Sequence, residues 1–465
     1  MNRFAKLDHR YVWHPFTQMG DWVKEEPIVL AKARGAVLED VDGTRYLDAN
    51  SSIWTNLHGH GHPMINRAIR NQLASIAHSS ALGFANVPAS LLAEKLVKCA
   101  RLPRRSGNLR NPRLAKVFYS DDGSTALEVA LKLSYESTRR ARPEVKPRFL
   151  TVDGAYHGDT IGAVSLGQID LFHKAYAGLL FKSDKVMAPY CYRCPFNRAK
   201  PERADARDYR VCRFECVDKV EAAFCKSTKA GRPFTALSFE PLMQGAAGML
   251  PHPSGWLRRV AEIARGHGAQ LIADEVMTGF GRCNPVSDAV GPRPGRLFAS
   301  HEEGVQPDFL CVAKGLTGGY VPMAATLTTM EVFDRFLGDY TEFKSFFHGH
   351  SFTGNQIGAA AALASLDLLE ENSVRQQRAG LQKTLAQELS ALWQLPQVGD
   401  IRQVGTVVGV ELVRDWQTKA AFPLAAQAGI RVCREMAKRG VLTRPIGSVI
   451  VLMPPYCMNP REVQK

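Results

Sequence analysis

The sequence predicts an α/β protein built on a mixed, mostly parallel sheet, and two observations carry that expectation. Five short apolar runs, at 117–119, 148–152, 236–239, 271–276 and 309–313, have the length of strands but lack the alternation of a half-solvated sheet, as expected of strands buried on both faces. Each run also stops at polar or glycine-rich residues: Ser120-Asp121-Asp122-Gly123-Ser124-Thr125, Gly154-Ala155-Tyr156-His157-Gly158, Glu240-Pro241, Asp274-Glu275 and Lys314. Open α/β sheets hold their ligands at the carboxyl ends of the strands, and chance would scatter such residues over both ends.

Along the chain, the aromatic segment Tyr11-Val12-Trp13-His14-Pro15-Phe16-Thr17-Gln18-Met19 comes first. Left in water it would be a liability, so it should pack on its own core or on a partner subunit. Residues 35–49 alternate around Asp42-Gly43, a two-residue hairpin signal that begins a small β-containing unit. His58-Gly59-His60-Gly61-His62-Pro63 sets three histidines at alternate positions, yet the glycines and the missing carboxylate favour a tight loop over a metal site. Pro63 opens a helix with Met64, Ala68, Ile69 and Leu73 on one face.

The turn at 120–125 leads into a helix marked by Leu127, Ala130, Leu131 and Tyr135. Small residues between a strand and a helix can hold a phosphate through free N–H groups and the positive end of the helix, although a simple N-cap fits the same residues. Tyr156 and His157, flanked by glycines, are placed to stack on a flat ring. Further on, His348-Gly349-His350-Ser351 precedes a small-residue helix at 357–371. From 372 the texture becomes amphipathic helix and then strand, with 404–412 alternating and 441–453 forming a hairpin about Gly447-Ser448. Arg444 lies on that hairpin, where it is either solvated or a partner for a substrate carboxylate.

At 465 residues, with 45% apolar and 22% charged residues, the chain has the composition of a soluble globular protein with one main domain and a smaller companion. Its net charge of +14 is unusual, and the excess gathers at 101–116, 139–148 and 198–213. These clusters lack interleaved aromatics and match no nucleic-acid module, so they read as solvated loops and no nucleic-acid partner is expected. No apolar run reaches the ~18–20 residues of a membrane span, and the first twenty residues lack a signal-peptide core, which points to a cytoplasmic protein. Most of the ten cysteines are scattered, as reduced thiols are. The exception is Cys191, Cys194, Cys212 and Cys216, two close pairs across a basic loop. A structural zinc site and four packed thiols both fit, since the segment 190–214 has too few apolar residues to fold by burial alone.

The chemistry concentrates at Asp274 and Lys314. On neighbouring strand ends the two could form only a structural ion pair, but Gly315, Gly318 and Gly319 would let a flat ligand come close. Pyridoxal phosphate chemistry needs both groups, the lysine as Schiff base and the carboxylate to keep the pyridinium nitrogen protonated.

With Gly123-Ser124-Thr125, Tyr156-His157, Asp274 and Lys314 placed, the chain resembles the class III aminotransferases of fold type I. The likeness spans almost the whole chain. It includes Trp13 to Met19, Ser51-Ser52, Tyr156 to Thr160, Thr278-Gly279-Phe280-Gly281-Arg282 and Met453-Pro454-Pro455-Tyr456, and it is closest to the biotin-pathway branch of the family. The resemblance implies a large domain at 64–371 around a seven-stranded sheet, and a small α+β domain made from 1–63 and 372–465. It implies pyridoxal 5'-phosphate as cofactor, with catalytic Lys314, Asp274 and Tyr156, and with Gly123, Ser124, Thr125, His157 and Glu240 around it. Ser351 would reach the phosphate across a homodimer interface that shares the active site. Phe16, Trp54, Gly349, Arg444 and Tyr456 would join Tyr156 and Lys314 on the substrate. The implied reaction converts 8-amino-7-oxononanoate to 7,8-diaminononanoate, with S-adenosylmethionine or lysine as amino donor. Phe16, Ile53 and His350-Ser351 depart from the members that use S-adenosylmethionine, and the wording of 348–355 looks more like members that use lysine. Members of the family usually continue past the position of Lys465 with a final helix. The rival readings are another class III transaminase acting on a diamine or ω-amino acid, and a zinc-stapled nucleic-acid-binding protein.

Overall fold

The computed structural model describes residues 1–102, 112–167, 169–285 and 296–465. A seven-stranded sheet runs in the order Leu114–Ser120, Ala324–Thr329, Phe309–Val312, Gln270–Asp274, Ala236–Phe239, Phe149–Val152 and Asp184–Val186. Ala324–Thr329 is antiparallel to both of its neighbours, and every other adjacent pair is parallel. Parallel strands need crossover connections, so helices cover both faces. Ile272, Phe309 and Ala236 pack with Leu127 and Ala130 of the helix Gly123–Ala141 on one face, while Leu271, Ala273, Leu310 and Leu237 join Trp256 and Leu257 on the other. Alternate residues of one strand thus enter two different cores, which is why these strands read as continuous apolar runs.

The five anticipated strands all lie in this sheet; two further strands were not anticipated. Asp184–Val186 is a three-residue edge. Ala324–Thr329 is fully buried but has the sequence Ala-Ala-Thr-Leu-Thr-Thr, with no apolar run to reveal it. Its hydroxyls are satisfied internally: Thr326 Oγ1 donates to the Ala126 carbonyl at 2.8 Å and Thr328 Oγ1 to that of Asp308 at 3.1 Å.

Two smaller sheets flank the large one. In the first, Leu30–Arg34, Val37–Asp40 and Arg45–Asp48 are joined by Val441–Leu442, parallel to Arg45–Asp48, so segments from the two ends of the chain share one sheet. The connection at Asp42-Gly43 is four residues long, because the Asp40 carboxylate accepts from the Asp42 and Thr44 amides at 3.0 and 2.8 Å. The other contains Val398–Val404, Val407–Asp415, Val449–Leu452 and Pro445–Ile446. The stretch 404–412, expected as one strand, is broken at Gly405, whose φ of +60° and close approach to the Arg282 carbonyl force a turn. The helices Pro63–Ser75 and Gln356–Glu370 fall where they were expected, but the hairpin about Gly447-Ser448 is shorter than 441–453: only Pro445–Ile446 pairs with Val449–Leu452, Val441–Leu442 belongs to the first small sheet, and Arg444 lies between Val441–Leu442 and Pro445–Ile446.

One surface expectation narrows and another changes. In the single chain the N-terminal aromatic segment does not pack on its own core, for Tyr11, Trp13 and Phe16 are 68, 88 and 66% exposed. Nor are the basic clusters simply solvated. Arg203 donates to the carbonyls of Trp393, Val398 and Leu395, Arg207 pairs with Asp205 at 2.7 Å, and Arg140 donates to the Arg335 and Lys344 carbonyls. The cluster at 101–116 falls largely on 103–111, outside the described residues.

Arg203 and Arg207, which also donates to the Gln403 carbonyl at 2.8 Å, account for the apolar-poor segment 190–214, which they tie to the C-terminal sheet together with the Arg193–Glu411 pair at 2.6 Å. Cys191, Cys194, Cys212 and Cys216 are free thiols. Burial, and then neighbouring sulfurs, push Cys191 and Cys216 up to about 12. Among the described residues no group of three or more His, Cys, Asp or Glu side chains is arranged to hold a metal ion, and no helix is long and apolar enough to cross a membrane.

Candidate active site

Asp274 ends one strand and pairs in register with Cys311 of the next, three residues before Lys314. The two side chains therefore meet at one rim, in a cavity of about 450 Å³ lined also by Gly123, Ser124, Tyr156 and Trp54. Lys314 starts a short 3-10 turn at φ +34°, a strained conformation for a residue with a side chain. Burial lowers the pKa of its amine and favours the neutral, nucleophilic form, while the charges of Asp274 and Glu240 oppose the shift. The glycines that follow, expected to let a flat ligand come close, let the chain itself come close. A Cβ on Gly319 would lie 2.6 Å from the Thr55 carbonyl carbon and one on Gly315 3.0 Å from Leu57.

Asp274 is held on both oxygens. Oδ1 accepts from the Val276 amide at 3.0 Å, and Oδ2 lies 2.8 Å from Nδ1 of the buried His157. A carboxylate can only accept, so His157 donates from Nδ1, and its Nε2 is hydrogen-bonded to Ser238 Oγ at 3.0 Å. Ser238 is the residue that sequence reasoning missed. Its signal was a hydroxyl in the middle of the buried run Ala236–Phe239, which burial tolerates only with a partner. Glu240 accepts from the Tyr156 and Gly245 amides at 3.3 and 2.8 Å. Burial first, and the charge of Asp274 second, push its carboxyl up to about 7. Burial, with the hydrogen bond to Asp159 at 2.6 Å, also raises the pKa of the Tyr156 hydroxyl and keeps it protonated.

Opposite this group begins the helix Gly123–Ala141. Asp122 is its N-cap and Thr125 its capping partner, with Thr125 N donating to Asp122 Oδ1 at 2.9 Å and Asp122 N to Thr125 Oγ1 at 3.0 Å. Thr125, expected at the cofactor, thus spends its hydroxyl on the cap and does not line the cavity. The Gly123 and Ser124 amides, in the first turn, have no intrahelical acceptor. Ser124 Oγ accepts from the Thr160 amide at 2.9 Å. A Cβ on Gly123 would lie 2.6 Å from Val276 and one on Gly158 2.4 Å from Ser124, so the cradle admits no larger residue at either place.

The wall facing Lys314 is Trp54, whose ring centre lies 5.5 Å from Nζ. Trp54 ends a turn of four consecutive left-handed residues: Ser51, Ser52, Ile53 and Trp54 have φ of 47, 50, 67 and 70°. Each costs on the order of 1–2 kcal/mol relative to right-handed backbone, and nothing in Ser-Ser-Ile-Trp announces it.

Other expected site residues are not brought together in one chain. Tyr456 is a core residue rather than a channel wall: it is 1% exposed, donates to the Phe280 carbonyl at 2.9 Å and lies under the Arg282 guanidinium. Phe16, Gly349, Ser351 and Arg444 are exposed and lie outside the cavity of their own chain.

A lysine amine, an opposed and anchored carboxylate, an aromatic wall and a helix-end cradle within one rim of a fold of this kind define a transaminase-like site. The aminotransferase class-III family model matches residues 19–465, and the chain belongs to that family. It is 46% identical over 465 residues to the adenosylmethionine-8-amino-7-oxononanoate aminotransferase of Nitratidesulfovibrio vulgaris, covering 99% of this chain and 80% of that protein. Its fold is similar to the crystal structure of the enzyme of that name from Methanocaldococcus jannaschii, with TM-score 0.87, 38% identity and coverage of 99 and 96% of the two chains. It is also similar to a PLP-bound amine transaminase from an uncultivated Pseudomonas species, with TM-score 0.83, 30% identity and coverage of 97 and 95%.

Proposed function

We propose that the chain is a pyridoxal-phosphate-dependent aminotransferase that converts 8-amino-7-oxononanoate to 7,8-diaminononanoate, with S-adenosylmethionine or lysine as amino donor. The observation that carries this reading is the meeting of Lys314, Asp274 and the Gly123–Ser124 cradle in one cavity, in a chain nearly half identical to a relative of that name. The residues fit the cofactor: two first-turn amides at the positive end of a helix suit a phosphate, and a fixed carboxylate suits a pyridinium nitrogen.

When bound, pyridoxal phosphate supplies an electron sink for the carbon that bears the amino group. Gly123, Ser124 and Thr160 would hold the phosphate end. Asp274, steadied by the Ser238–His157 chain, would keep a proton on the ring nitrogen, and Tyr156 would flank the ring. Glu240, with its carboxyl near neutrality, spares the site a second full anion beside Asp274. Lys314 Nζ takes the proton from the amino-bearing carbon of the donor in the first half-reaction and returns one to the keto acid in the second. Arg444 would bind the carboxylate of the acceptor. Ser351 and Gly349 would serve a site shared across a homodimer, a role supported by their exposure and that of the N-terminal aromatics in the single chain. The large domain 64–371 and the small domain from 1–63 and 372–465 belong to the same reading, as does a cytoplasmic location.

Purified holoenzyme should lose its visible absorbance when given one donor without keto acid, and adding 8-amino-7-oxononanoate should restore it and yield 7,8-diaminononanoate by mass spectrometry. Bleaching by a diamine or ω-amino acid, with no turnover of this keto acid, would reassign the substrate. A protein that takes up no cofactor would refute the reading at Lys314.

A further inference from the structure

We infer that Asp48, paired with His60, is a positioning residue that clamps the left-handed turn Ser51–Trp54 and so holds the Trp54 indole against Lys314. The inference rests on the function proposed above. Left-handed backbone at four successive residues with side chains does not persist unless its surroundings hold it. The Asp48 carboxylate, 2% exposed, supplies that hold. It accepts from the Asn50 amide at 3.3 Å, from the Ser52 amide at 3.1 Å and from Ser52 Oγ at 3.2 Å, and so grips the middle of the turn. On its far side it lies 2.9 Å from His60 Nε2, while His60 Nδ1 is 3.2 Å from Asn56 Nδ2. Burial pushes the Asp48 carboxyl up, but the His60 and Ser52 hydrogen bonds outweigh it and hold the group below the usual carboxylate range, hence charged.

The far end of the turn is pinned both by Arg282 and by the lysine loop. Arg282 donates to the Asn56 carbonyl at 2.8 Å, and Gly319 allows that loop to abut the Thr55–Asn56 peptide. Trp54 Nε1 donates to Asn50 Oδ1 at 3.0 Å, which sets the indole on the turn. Anchored at Asp48 on one side and at Arg282 and the lysine loop on the other, the turn can present Trp54 in one place only. If Ser52 is released, the backbone relaxes to negative φ and the cavity loses its wall.

The test compares wild type, Asp48→Asn, Trp54→Phe and the double variant. Turnover gives KM for the keto acid and kcat; separately, the emission of Trp54 in cofactor-free protein is the difference between each protein and its Trp54→Phe counterpart. We expect Asp48→Asn to raise KM about tenfold while kcat changes less than about threefold, and Trp54→Phe to add little in that background. The Trp54 emission should move to longer wavelength. Independent, multiplying effects with an unmoved emission would overturn the inference and leave Asp48 a merely structural group. Should Asp48→Asn fail to fold, His60→Gln is judged by the same criteria. The emission requires no activity, so a wild type that transaminates nothing would refute the proposed function while the spectrum still decides the clamp.

Discussion

Gly158→Ala is the most direct perturbation of the cradle. At φ +118° the position is closed to most L side chains, and the new Cβ would stand 2.4 Å from Ser124 Cβ and Oγ and 2.7 Å from its Cα. Ser124 cannot swing away, because its Oγ is tied to Thr160 through the amide and, at 2.7 Å, the hydroxyl. Backbone strain of about 1–3 kcal/mol adds to an overpacking cost of about 1–3 kcal/mol, for roughly 2–6 kcal/mol in all. If even 2 kcal/mol is relieved by opening the cradle, cofactor affinity falls about thirtyfold. Equilibrium dialysis against pyridoxal phosphate reads that loss, and denaturant unfolding of the cofactor-free protein reads the remainder. Gly178→Ala is the control, since its Cβ meets nothing within 4 Å; it should stay within ~0.5 kcal/mol of wild type. Wild-type affinity and stability in Gly158→Ala would refute the contact between this loop and the phosphate cradle.

Four further outcomes are expected. Lys314→Ala should bind cofactor only non-covalently, so a borohydride-reducible adduct surviving in it would refute the assignment of the lysine. Asp274→Asn should keep the adduct but slow the half-reaction by more than about a hundredfold in stopped-flow absorbance, because a neutral ring is a poor sink for electrons. Arg402→Met should destabilise the protein by about 3–5 kcal/mol in urea, since Arg402 donates to Asp400 at 3.0 Å and to Glu411 at 2.7 Å, and its loss leaves the buried Asp400 without its cation while Glu411 keeps only Arg193. Glu240 has a folded-state pKa above its unfolded value, so its contribution is fully present below about pH 4.5 and is lost as pH rises through about 7. Cofactor-free wild type should therefore lose on the order of 3 kcal/mol relative to Glu240→Gln between those limits, and parallel stability profiles would contradict the raised carboxyl.

The residues legible in advance share one physical cause. Strands buried on both faces are continuous apolar runs, so the first polar residue after each run marks a strand end, and Asp274, Glu240 and Lys314 could all be read in this way, with Tyr156 in the loop just beyond Val152. What stayed hidden depends on partners distant in sequence. Ser238 matters because it hydrogen-bonds His157, 81 residues away. Thr125 looked like a phosphate ligand but caps its own helix, since both roles favour the same small hydroxyl residue. Tyr456, near Pro454 and Pro455, carries no mark that separates a channel wall from a core side chain.

By itself, then, the sequence determined the α/β class, the rim at which the site lies, and the pairing of an amine with a carboxylate there. All three follow from local patterning that burial imposes along one strand at a time. Only the tertiary structure decided how that rim is shaped. The glycines after Lys314 admit the chain's own Thr55–Asn56 backbone, and Asp48 holds four residues left-handed to set Trp54 over the amine. Such conformations are disfavoured locally and persist because the fold brings further groups, Arg282 and the lysine loop among them, against the turn that Asp48 grips.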